Sequence, residues 1–135
     1  MNSSDYPPIV LCAGTTETAR VALRRSVISD FDIAGVVALK AAVEAFRTST
    51  ESGAGTPDVV VLDTGMLSAA VKIARSIHEV SPETPVVIIT ENSVDPSKLA
   101  EVGAIGATRD QVSNAILPRL LNDAIANRRS DGQTR

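Results

Sequence analysis

Three short runs of uninterrupted, largely β-branched residues constrain this chain more than anything else in it: Ile9-Val10-Leu11-Cys12-Ala13, Val59-Val60-Val61-Leu62 and Val86-Val87-Ile88-Ile89-Thr90. A strand with one wet face alternates apolar with polar residues, whereas these runs do not alternate, so both of their faces must be covered. That requirement points to central strands of a parallel sheet. Between the runs lie segments with helical spacing. The clearest covers residues 66–80, where Ala70, Ile73, Ala74 and Ile77 fall at i, i+3, i+4 and i+7. It should end at Ser81-Pro82, because the residue before a proline is pushed out of the helical region.

A first helix is expected over residues 17–27, with Thr15 or Thr16 as N-cap and Ala19, Leu23 and Val27 facing inward. A strand over 33–37 and a helix over 41–47 follow. Residues 48–57 hold Ser49, Ser52, Gly53, Gly55 and Pro57 and read as loop. Asp95-Pro96 supplies an N-cap and a proline for the first helical position, and Gly103 a stop, which predicts a short helix over 96–102. The last strand, near 105–108, contains Gly106 and Ala107, both weak strand formers, and is expected at an edge. A final helix should bury Ile116, Leu117, Leu120, Leu121, Ala124 and Ile125, with Pro118 delaying its start or kinking it. Residues 1–7 read as an N-terminal tail, 8–127 as one domain, and 128–135 as a polar tail or linker.

Strict strand–helix alternation implies right-handed crossovers and a parallel sheet with helices on both faces. The expected fold class is therefore α/β, a five-stranded doubly wound (βα)5 sheet of flavodoxin-like order 2-1-3-4-5, with its site at the carboxyl ends of the strands. Composition narrows the function classes. With 44% hydrophobic and 21% charged residues and a net charge of −3, the 135-residue chain is globular and carries no basic surface suited to nucleic acid. The basic pairs Arg24-Arg25 and Arg128-Arg129 read as solvated helix faces. The apolar runs are too short to span a bilayer, the first residues lack the pattern of a signal peptide, and the lone Cys12 sits in an apolar run. A cytoplasmic protein without membrane or nucleic-acid partners is the expectation.

At the strand ends stand Ala13-Gly14-Thr15-Thr16, Asp63, Thr90-Glu91 and Arg109-Asp110. The segment Pro57-Asp58-Val59-Val60-Val61-Leu62-Asp63-Thr64-Gly65-Met66 resembles the phosphoacceptor stretch of response-regulator receiver (CheY-like) domains. Pro85-Val86-Val87-Ile88-Ile89-Thr90 is similar to their fourth strand, and Gly103-Ala104-Ile105-Gly106 to the turn before the fifth. The resemblance covers about residues 8–127. It implies Asp63 as the phosphoacceptor position and Thr90 as the switch hydroxyl. It also exposes departures. Where receivers carry an acidic pair that helps hold Mg²⁺, this chain has Ala13 and Gly14. Where they place a lysine at the end of strand five, it has Asp110, with Arg109 beside it as a substitute cation. Glu91 replaces a small residue after the switch hydroxyl, and Ala107 stands in the place of the switch aromatic.

Phosphoryl transfer depends on positioning and on cationic stabilisation, and this pocket lacks the usual sources of the latter. The resemblance, read with these departures, implies a degenerate or pseudo-receiver of two-component-type signalling: not an enzyme, without cofactor, with Mg²⁺ binding weak or absent. It would act through a protein partner or a fused output domain, as in receivers joined to pilus-assembly ATPases. The face of the fourth helix, fifth strand and fifth helix would carry the contacts, including a homodimer; Leu99, Val102, Ile105, Leu117 and Leu121 would build it. Two other readings stay open: a working receiver phosphorylated at Asp63, and a nucleotide or small-molecule site at the Gly14-Thr15-Thr16 loop. His78, the single histidine, reads as a surface residue.

Overall fold

The computed structural model describes residues 7–51, 56–91, 94–113 and 116–133. Five strands, β1 (Ile9–Gly14), β2 (Asp32–Ala38), β3 (Val59–Asp63), β4 (Val86–Thr90) and β5 (Ala104–Thr108), form one parallel sheet in the order β2-β1-β3-β4-β5. The helices are α1 (Glu17–Val27), α2 (Ala42–Glu51), α3 (Leu67–Val80), α4 (Pro96–Ala100), α5 (Arg109–Ser113) and α6 (Leu117–Gln133), with a 3-10 turn over Leu39–Ala41 before α2. The doubly wound α/β class expected from the apolar runs is the fold observed.

Strand alternation divides the core in two. On one face Val10, Cys12, Val59, Val61, Val87 and Ile89 pack with Leu23 and Val27 of α1 and Leu117, Leu121, Ala124 and Ile125 of α6. On the other, Leu11, Ala13, Val60, Leu62, Val86 and Ile88 pack with Ala42 and Phe46 of α2, Ala70, Ala74 and Ile77 of α3, and Leu99 of α4. Each central strand thus buries both faces, which is why its sequence carries no polar alternation.

Local signals place the helix ends. Thr16 caps α1, its hydroxyl accepting from the Ala19 N–H at 3.1 Å. Asp95 caps α4 by accepting from the Ser97 N–H at 3.0 Å, with Pro96 in the first turn. Gly103 adopts φ +70°, the left-handed conformation that ends a helix without a Cβ penalty.

Four expectations need correction. Helix α2 runs on to Glu51, through residues assigned above to a loop, because its half-buried flank continues past Phe46 to Ser49; Ser52, Gly53 and Gly55 lie outside the described residues. A short helix not foreseen above, α5, precedes the final helix; the latter starts at Leu117 with Pro118 second, so the proline delays the start, at a position where the absent N–H would have had no partner. Ile116 precedes α6 and is exposed rather than buried. Helix α6 also continues through residues 128–133, read above as a polar tail; residues 1–6 and 134–135 lie outside the described residues. Among the described residues no helix is long and apolar enough to cross a membrane.

Candidate functional site at the carboxyl ends of the strands

The parallel sheet brings the ends of β1, β3, β4 and β5 to one edge, and the register places Gly14 beside Asp63 and Thr90 beside Thr108. Asp63 is buried. Its backbone carbonyl accepts from the Thr15 N–H at 3.2 Å and the Thr15 hydroxyl at 3.4 Å, which ties the β1 loop to the β3 end. After Asp63 the chain turns on Thr64, whose hydroxyl accepts from the Met66 N–H at 2.9 Å. Thr90, half-buried, closes β4, and exposed Glu91 follows it.

The decisive side chain is Arg109. It is the first residue of α5, not the last of β5, and it reaches back over the sheet edge. Its Nη1 donates to Asp63 Oδ2 at 3.1 Å, and its Nη2 lies 2.7 Å from Asp63 Oδ1 in a close ion-pair contact. Its Nε pairs with Glu91 Oε2. One planar guanidinium thereby faces both oxygens of a buried carboxylate and a carboxylate on the neighbouring strand end, a geometry that an ammonium cannot reproduce. The Asp63 side chain is 6% exposed and that of Arg109 37%. Burial pushes the Asp63 carboxyl above its ordinary range; Arg109 pulls the other way through charge and hydrogen bonding, and Glu91 adds a smaller upward push.

The remaining residues singled out in the sequence lie around this pair. Ala13 is buried in the apolar cluster with Phe46 and Leu62. Gly14 is buried on the α1 side, where an added Cβ would come within 3.2 Å of Arg20 Cγ and 3.3 Å of Ala19 Cβ. Asp110 is exposed in the first turn of α5, a position where a carboxylate suits the helix dipole. Ala107 is buried, and next to it a groove between α4 and β5 is lined by Thr90, Val94, Pro96, Ile105, Gly106 and Thr108. Of the five residues expected to build a docking face, Leu99, Val102, Leu117 and Leu121 are buried in the core, and Ile105 is 42% exposed. Of those five residues Ile105 alone stands at the surface.

Two residues contribute that the sequence reading passed over. Arg20 donates from Nη1 to the Gly14 carbonyl at 2.9 Å, covering the end of β1. Gln111 accepts from the Thr108 N–H through Oε1 at 2.8 Å, which fixes the turn from which Arg109 projects. The i+6 spacing of Arg20 from Gly14 across a capped helix start is the one sequence signal that could have indicated the first; nothing comparable marks the second.

Comparison of the sequence with family models and with curated proteins returns no match. Solved structures do match. The response regulator domain of Thermotoga maritima CheB superposes with a TM-score of 0.67 at 20% identity, covering 89% of this chain and 97% of that one. CheY of Borrelia burgdorferi, solved in complex with CheX, BeF3 and Mg, gives 0.70 at 18% identity, covering 89% and 95%. The fold is that of a receiver domain. A Burkholderia pseudomallei protein described as related to pilus assembly gives 0.67 at 16% identity, covering 88% and 90%.

A receiver fold raises the question of a divalent ion. Magnesium asks for near-octahedral oxygen ligands at short range. Here the β1 end offers Ala13 and Gly14, both oxygens of Asp63 face a guanidinium, and among the described residues no three His, Cys, Asp or Glu side chains converge. With Arg109 in place the residues present do not fit the ion.

Proposed function

We propose that this chain is an atypical receiver module of two-component-type signalling that works without phosphorylation, through contacts with a protein partner or a fused output domain. The observation that supports this most is the pairing of Arg109 with both oxygens of Asp63. A carboxylate acting as a nucleophile toward phosphorus needs an unengaged oxygen and a cation that can also gather the incoming phosphoryl oxygens. Asp63 has its cation already, fixed from the protein side, and Glu91 adds negative charge at the approach. The Borrelia CheY neighbour was solved with Mg and the phosphoryl mimic BeF3; the equivalent edge here is built from an internal ion pair.

The test is direct. After incubation with a small phosphodonor and Mg²⁺, intact-mass spectrometry should find the chain unmodified. Substantial addition of a single phosphoryl group, absent in Asp63→Asn, would return the chain to the class of working receivers. A thermal-shift screen with nucleotides addresses the strand-one loop, where no stabilisation is expected: the Thr16 hydroxyl is spent on the α1 cap and Thr15 on Asp63. Light scattering at native concentration reads self-association, and a dimer there would make a second copy of the chain the partner.

A further inference from the structure

We propose that Arg109 is the resident cation of this site: it holds the positions on Asp63 and Glu91 that a divalent ion would otherwise take, so the strand edge is indifferent to magnesium because a guanidinium occupies it. The ends of three strands meet on this one group. Asp63 ends β3, Glu91 follows β4, and Arg109 follows β5. Without the guanidinium, a buried carboxylate and an exposed one would face one gap. Magnesium is commonly held by only one or two carboxylates and keeps the rest of its shell as water, so that gap has the chemistry to accept it once the competitor is removed. Arg20 does not fill the role, since its Nη1 is directed to the Gly14 carbonyl.

The inference rests on the reading of this edge as a receiver pocket rebuilt to do without a phosphoryl group, and the two fail separately. Phosphorylation of the wild-type chain overturns the proposed function; ion binding decides this one.

The experiment compares thermal unfolding of the wild-type chain and Arg109→Gln in MgCl2 or MnCl2 against a monovalent salt of matched ionic strength. Glutamine keeps an amide donor for the carboxylates and removes the charge. The wild-type midpoint should not move, while that of Arg109→Gln should rise by on the order of a few degrees at an ion concentration several times its dissociation constant. The rise should vanish in Arg109→Gln combined with Asp63→Asn. Equal stabilisation of wild type and variant, or none in the variant, overturns the proposal. A second measurement needs no variant: Mn²⁺ added to the wild-type chain should leave the amide signals of Asp63, Glu91 and Arg109 unbroadened, and selective broadening there overturns the proposal even where Arg109→Gln does not fold.

Discussion

Removing the charge of Arg109 should destabilise the fold by an amount that depends on pH in a definite direction. Breaking a fully buried ion pair costs about 3–5 kcal/mol and an exposed one about 0–1. Asp63 belongs to the first case and Arg109, more than a third exposed, lies toward the second, so about 2 kcal/mol is the expected deficit of Arg109→Gln near neutral pH. The variant has an escape, because Asp63 can take up a proton. Burial already holds its carboxyl above the ordinary range, Arg109 is the group that pulls it down, and Glu91 pushes in the same direction as burial. With Arg109 gone, the native carboxyl moves further up while the unfolded one stays near its ordinary value of about 3.9. Between those two values the native state binds more protons than the unfolded state, so its stability increases as pH falls, by at most about 1.4 kcal/mol per pH unit. Asp63 therefore costs the variant most at neutral and higher pH, and the gap to wild type narrows on acidification. Urea denaturation of both proteins at a series of pH values from mildly alkaline to mildly acidic reads this directly. A deficit that is independent of pH, or that widens as pH falls, would refute the assignment of Asp63 as the buried partner.

Gly103→Ala should destabilise by about 1–3 kcal/mol: φ is +70°, and the new Cβ would come within 2.7 Å of His78 Nδ1. Thermal unfolding measures the loss, and a double-mutant cycle with His78→Ala should recover the steric share of it but not the backbone share. Cys12 is buried in the β1 core, which pushes its thiol up to about 12. It should be inert to a thiol reagent in the native protein and react fully once the chain is unfolded in denaturant; fast native labelling would contradict its placement.

What the sequence discloses about the fold follows from where tertiary packing agrees with local preference. The runs at 9–13, 59–62 and 86–90 are central strands because their successive residues pack alternately into the two cores, and runs this short and rich in β-branched residues suit a strand covered on both faces. Helix α1 and its cap at Thr16 are equally legible, since a capping hydroxyl and an inward stripe of Leu23 and Val27 act within a few residues of each other. The stretch after Phe46 misleads because Ser49, Ser52, Gly53, Gly55 and Pro57 together read as loop from residue 48 onward, yet a helix already nucleated and packed through Ala42 and Phe46 extends to Glu51 at little cost. Pro118 leaves two outcomes open. As a helix breaker it suggests either a delayed start or a kink, and only the first is found, because in the first turn of α6 a proline is compatible with the helix.

The site divides along a different line. The absence of carboxylates at Ala13 and Gly14 and the presence of Asp63 and Glu91 are properties of strand ends, where the backbone alone determines which residues stand together. The reach of Arg109 is a property of a long side chain leaving a helix. Alternation of side chains argues against Arg109 as a substitute for its neighbour, and that argument holds only inside a ladder. The ladder stops at Thr108, opposite Thr90, and the next residue is already helical. From there the first-turn side chain can fold back across the edge, with the turn itself held by Gln111 on the Thr108 N–H. One residue of strand length therefore decides whether the edge carries an isolated carboxylate or a neutralised one. A deletion in this pocket shows as a missing residue type, but its replacement is a contact between residues 46 positions apart, and only the fold brings them together.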